Sequence, residues 1–157
     1  MKPFKSHKGL ALPLDAINMD TDQILPARFL QKRRLDPDYH TYLFHDLRYD
    51  NNGCENPDFI LNNPLYKNAT IIVGNSNFGG GSSREAAVFA LDAFGIRSVI
   101  APNFGDIFYN NCLKNGILPV VLNKRKTDRL RALLHSNPGS SLKIDLIRQT
   151  VSCSDGS

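Results

Sequence analysis

Between residues 69 and 122 the chain alternates β-branched runs with helical segments, and no other feature limits its fold so tightly. A strand over residues 69–73 is followed by an apolar helix over 84–94 and a strand over 98–101. A second helix over 104–114, closed by Gly116, leads into a strand over 118–122. Strand, helix, strand, helix, strand is the pattern of βαβ units on a parallel sheet. Residues 8–14 predict a first strand interrupted by Pro13, and residues 127–134 and 142–151 a later helix and further strand material. The result is an α/β domain with a mostly parallel central sheet flanked by helices. The helix over 84–94 is apolar on nearly every face, which predicts central burial. Residues 35–65 hold one predicted helix over 39–47 and a turn at Asn51, Asn52 and Gly53. Their aromatics, among them Tyr39, Tyr42, Phe44, Tyr49 and Phe59, predict an ordered excursion over the surface.

A length of 157 residues with 41% apolar content suits one domain spanning residues 1–157. The first twenty residues contain no continuous apolar stretch, so neither a signal peptide nor a membrane span is expected, and the expected location is the cytoplasm. Cys54, Cys112 and Cys153 form no C-x-x-C pair, which argues against a disulfide framework and against a metal site held by this chain alone. The net charge of +4 suits an anionic substrate. The basic runs at residues 32–34 and 124–126 lack interleaved aromatics and read as solvated surface rather than as a nucleic-acid platform.

Residues 77–85, Asn-Phe-Gly-Gly-Gly-Ser-Ser-Arg-Glu, stand between a strand and the apolar helix. Three glycines permit close approach of a ligand, and the helix start behind them offers N–H groups and a positive dipole end, an arrangement suited to an anion. Ser82 and Glu85 have capping-box spacing, which gives a purely structural alternative. In the functional alternative, N–H groups stabilise a deprotonated Ser82 acting as base, while Arg84 forks onto a substrate carboxylate. A phosphate loop would need Gly-Lys-Ser/Thr, a nucleophile elbow G-x-S-x-G, and neither is present. His7, His40, His45 and His135 show no catalytic or zinc spacing. Residues 18–26 place Asp20 and Asp22 around Thr21 ahead of a helical turn at Pro26, where carboxylates commonly act as caps. Residues 103–112 put Phe104, Ile107 and Phe108 on one helical face beside Asp106, Asn110 and Asn111, with packing the default role.

Taken together, residues 20–26, 55–59, 77–85 and 104–111 closely resemble signature stretches of the small subunits of isopropylmalate isomerases, within the aconitase superfamily. The resemblance covers most of the chain, in order. It implies a swivelling β/β/α domain, ending short of the family's C-terminal segment, that acts as one partner of a heterodimeric hydro-lyase in leucine biosynthesis. The other partner is a large subunit carrying a 4Fe–4S cluster, while this chain itself binds no cofactor or metal. On the same basis Ser82 and Asp22 are the expected catalytic residues, Ser82 taking a proton from carbon. Arg84, Ser83, Gly81 and Arg28 are expected to bind a small dicarboxylate, with Arg28, Phe29 and Leu30 reading its variable side chain. The chain departs from the common pattern at Gly80, where many members carry cysteine, and at residues 86–89. A related hydratase of citraconate or a substituted malate, and a non-catalytic RNA- or anion-binding module, remain alternatives.

Overall fold

Short runs of β-branched and leucine residues supply six strands: β1 (Ser6–Pro13), β2 (Ile71–Val73), β3 (Ser98–Ala101), β4 (Leu118–Val121), β5 (Ser141–Asp145) and β6 (Thr150–Cys153). They form one sheet in the order β4-β3-β2-β1-β5-β6. The structure, a computed structural model, describes residues 4–81 and 84–153. Strands β1 to β4 are mutually parallel, with Ala11 opposite Ile71, Ile71 opposite Ser98 and Ser98 opposite Leu118. Strand β5 is antiparallel to both β1 and β6, so five of the six strands run one way. The expected mostly parallel sheet is present, and the strand material over 142–151 resolves into the β5–β6 hairpin. Pro13 does not interrupt β1 but closes it opposite Val73.

Side chains alternate between the two faces of the sheet, as the period of a strand requires. Leu12, Ile72, Val99 and Ala101 point into one apolar cluster, and Ala11, Ile71, Val73 and Ile100 into another. The first cluster is closed by α4 (Ala86–Phe94) and α5 (Asp106–Lys114), which contribute Ala87, Val88, Leu91, Phe108 and Cys112. The second is closed by α6 (Lys124–Ser136) through Leu130 and Leu134. Helix α6 starts earlier than its apolar pattern indicates, because Asn123 caps it by accepting from the Lys126 N–H at 2.9 Å. The basic residues 124–126 therefore form its exposed first turn, in keeping with a solvated role.

Residues 35–66 do more than cross the surface: Tyr39, Leu43, Phe44, Leu61 and Tyr66 are buried in the same cluster as α4. The single helix expected over 39–47 is two four-residue helices, α2 (Tyr39–Tyr42) and α3 (His45–Arg48). Phe44 breaks it by adopting a left-handed conformation, φ 51°, in which its ring is fully buried and its N–H bonds Ile24 O at 2.7 Å. Burying that ring, worth roughly 1.5–3 kcal/mol, outweighs the strain of one non-glycine residue in that region. Ahead of this segment lies a further short helix, α1 (Thr21–Ile24), where the sequence indicated a polar turn.

Candidate functional site

Loops leaving the C-terminal ends of β1, β2 and β3 continue side by side beyond the sheet. Leu14 N–H donates to Val73 O at 2.9 Å, Asn18 N–H to Ser76 O at 2.9 Å, Gly79 N–H to Met19 O at 2.7 Å and Thr21 N–H to Gly80 O at 3.0 Å. On the other side Gly74 N–H donates to Ile100 O at 2.7 Å, Phe78 N–H to Asn103 O at 3.1 Å and Gly105 N–H to Phe78 O at 3.0 Å. The glycine-rich loop is thus the middle member of a three-stranded backbone weave, its polar groups met without a regular ladder. Asn77, with φ 57°, donates its side-chain amide to Asn18 Oδ1 at 3.2 Å and its main-chain N–H to Asn103 Oδ1.

Two glycines make this spacing possible. Gly79 has φ 78°, and a Cβ there would lie 2.2 Å from the Phe108 ring. At Gly105 a Cβ would sit 2.7 Å from Gly79 O and 3.0 Å from Gly80 Cα, both backbone atoms. Residues 78–81 and 103–108, read from sequence as two separate motifs, are one construction, sealed by the buried rings of Phe78 and Phe108 with centroids 5.7 Å apart.

Asp20 and Asp22 divide their tasks. Asp20 caps α1 in a reciprocal box: Gln23 N–H donates to Asp20 Oδ1 at 2.8 Å and Asp20 N–H to Gln23 Oε1 at 3.0 Å. Asp22 faces the glycine loop, where its Oδ1 accepts from Arg84 Nη1 at 3.0 Å and from Ala27 N–H at 3.0 Å. Arg84 Nη1 also donates to Leu25 O at 3.2 Å. The arginine side chain is mostly buried, with 20% exposure, and the aspartate is open at 64%.

Of the capping-box alternative, Ser82 lies outside the described residues and only the Glu85 part can be placed. Helix α4 begins at Ala86, which puts Glu85 at the cap position rather than in the first turn, and Glu85 makes no side-chain cap. Its Oε1 instead accepts from Asn115 Nδ2 at 3.1 Å. Arg84 accordingly precedes the helix and belongs to the loop. Ser82 and Ser83 lie outside the described residues, which reach Gly81 on one side and Arg84 on the other.

Arg28 stands farther out. Its guanidinium forks onto Asp46, Nη1 to Oδ2 at 2.9 Å and Nη2 to Oδ1, and lies 4.6 Å from the Phe29 ring centroid. Phe29 stacks on Tyr42 at 4.5 Å. The Arg28 hydrogen bonds hold the Asp46 carboxyl below the ordinary aspartate range, and the same contact raises Arg28. Asp22 is within electrostatic reach of Arg28, so charges alternate from Arg84 through Asp22 and Arg28 to Asp46. The structure therefore brings Asp22 and Arg84 together, places Gly81 beside Asp20 and sets Arg28 on an outer rim. Asp46 was not visible as part of this rim, since an aspartate inside an aromatic stretch carries no spacing signal.

Among the described residues no group of three His, Cys, Asp or Glu side chains gathers closely enough to hold a metal ion. Nor is any of their helices long and apolar enough to cross a membrane. A concavity of about 520 Å³ between α6 and β6 and one of about 570 Å³ around Arg48 take no wall from the glycine-rich loop.

Residues 1–125 match the family model for the aconitase C-terminal domain. The chain is 47% identical over 156 residues to the 3-isopropylmalate dehydratase small subunit of Dinoroseobacter shibae, covering 99% of this chain and 77% of that protein. It is 48% identical over 153 residues to the small subunit of the same name from Leptospira interrogans, covering 96% of this chain and 74% of that protein. Among solved structures, a 3-isopropylmalate dehydratase of Methanocaldococcus jannaschii is 30% identical with a TM-score of 0.65, over 95% of this chain and 81% of that one.

Proposed function

The chain belongs to the aconitase C-terminal domain family, and from that premise we propose that it is the small subunit of a 3-isopropylmalate dehydratase, a hydro-lyase of leucine biosynthesis. The observation that carries the reading is near-half identity over almost the whole chain to small subunits of that name. The arrangement of the loop agrees with it: an arginine anchored beside three glycines at the C-terminal edge of a parallel sheet suits a carboxylate substrate.

In this reading Arg84 binds a substrate carboxylate. Asp22 is a rim carboxylate that orients the guanidinium through Nη1, and Ser82, adjoining Gly81 in sequence, takes the proton from the substrate carbon. Ser83 and Gly81 complete the contact surface, and the Arg28 and Phe29 rim faces the variable side chain. Isomerisation then consists of removing water and adding it back with the opposite regiochemistry. The small-subunit name of the relatives implies a large-subunit partner, and we assign to that partner the 4Fe–4S cluster, which would act there on the leaving hydroxyl. That partner closes over the loop. The complex is placed in the cytoplasm, where thiols such as the exposed Cys54 stay reduced.

The test is anaerobic reconstitution with the genomically paired large subunit, assayed on 2-isopropylmalate, citraconate and malate analogues. Turnover of isopropylmalate is expected, and Ser82→Ala should lower kcat by about a hundredfold or more while leaving the complex assembled. Activity retained by Ser82→Ala would refute the base assignment, and preference for a smaller diacid would move the reading to a sister hydratase.

A further inference from the structure

We propose that Arg131, on the face of the sheet opposite the candidate site, is a positioning residue that clamps the loops after β1 and β2 to one another. The inference rests on the functional reading above only for its kinetic arm. Arg131 projects from α6, and its side chain is buried, with 7% exposure. One guanidinium serves three partners. Nη1 donates to Gly74 O, Nε lies 3.3 Å from Asp15 Oδ1, and Nη2 pairs with Asp128 on its own helix.

Gly74 is the first residue past β2 and Asp15 the second past β1. From Gly74 the chain runs into the glycine-rich loop, and from Asp15 it runs to Asp22. The clamp has supports on both sides: Asn75 Nδ2 donates to Asp15 O at 2.9 Å, and His135 Nε2 lies 2.8 Å from Asp15 Oδ2. Balancing a buried charge needs only Asp128. The two further donors are directed at the two segments that carry Arg84 and Asp22, at the level where those segments leave the sheet. The planar fork fixes the direction of each contact, which a flexible ammonium would not do. Small displacements at the base of a loop are magnified at its tip, and an error of about 1 Å in a catalytic group can cost about a hundredfold in rate.

The experiment uses the reconstituted complex with Asp15→Asn, Arg131→Lys and the double variant. It measures kcat and KM on isopropylmalate together with amide hydrogen exchange. Each single variant is expected to lower kcat by about tenfold or more, with a smaller change in KM. The double variant should be no worse than the worse single, because both act through one contact. Exchange should accelerate in residues 15–22 and 74–81 together and stay unchanged in β3 and α4. A lower melting temperature with kcat and loop protection intact would overturn the proposal, as would multiplicative losses in the double variant. Should Arg131→Lys fail to fold, Asp15→Asn, at a carboxylate 61% exposed, carries the test alone. If the wild-type complex does not turn over isopropylmalate, the functional reading fails, and the exchange pattern still decides the clamp: joint acceleration of the two loops supports it, and its absence overturns it.

Discussion

Arg84 and Asp22, 62 positions apart in sequence, meet through one Nη1–Oδ1 contact of 3.0 Å that crosses from the glycine-rich loop to α1. Because Asp22 is largely exposed, the ion pair is worth at most about 1 kcal/mol of stability. Its value lies in orientation. Asp22→Asn should leave the melting temperature nearly unchanged, since an amide oxygen still accepts from Ala27 N–H, yet raise KM for the substrate by about tenfold through a freer guanidinium. Thermal melts and steady-state kinetics on the same preparations decide this; equal KM values would remove Asp22 from the site.

Two glycine substitutions should behave differently for reasons visible in the backbone. Gly95 caps α4 at φ 109° with no atom within 4 Å of a added Cβ, so Gly95→Ala costs conformational strain alone, about 1 kcal/mol. Gly105 has an ordinary φ of −60° but no space, and its Cβ would collide with Gly79 O. Gly105→Ala should cost about 1–3 kcal/mol by overpacking and also displace the loop. Denaturant titration should rank Gly105→Ala below Gly95→Ala in stability, and only the former should lose activity in the complex.

His7 gives the domain an acid-sensitive element. Its ring, 2.8 Å from Thr70 Oγ1, has its pKa lowered below 6.5 by burial and then by the charge of Arg97. The unfolded chain therefore binds a proton more readily than the folded one between the two pKa values. Stability is full above about pH 6.5 and falls as pH drops below that value, levelling off once the folded-state pKa is passed. Urea titrations between about pH 5 and 7.5 should show a shallower fall for His7→Gln than for wild type; parallel curves would count against the assignment.

The thiols should separate by burial. Cys112 is fully buried in α5, and burial pushes its pKa up to about 12, while Cys54 is exposed. A chromogenic disulfide reagent at about pH 8 should modify Cys54 rapidly and reach Cys112 only at the rate of unfolding. Fast labelling of Cys112 in native protein would mean that α5 opens locally.

Local pattern was enough to locate β3, α5 and the helix behind the glycine-rich loop, because each runs between clear breakers with one period throughout. It failed at Phe44, where burial of one ring in the core, beside Phe59, overrode a continuous helical pattern. It also failed at residues 124–126, whose basic side chains run against the helix dipole and hid the start that Asn123 caps. At the site, Asp22 and Arg84 were recognisable from their motifs. Their contact was not, since it depends on β1 and β2 being neighbours. Arg131, Asp15 and His135 belong to no motif and meet only when α6 folds across the sheet, and Asp46 joins the rim only through the turn at Phe44.

The backbone weave around Gly79 and Gly105 also bears on how such a subunit can diversify. A region with no space for one extra carbon, bonded on both flanks, cannot be retuned residue by residue without disturbing its neighbours. The stretch from Ala27 to Asp46 lies outside that weave, anchored by Tyr39, Leu43 and Phe44, and it leaves Arg28 and Asp46 exposed. Heritable change in which diacid is accepted should therefore accumulate along that stretch, with the glycine cradle passed on as an indivisible unit.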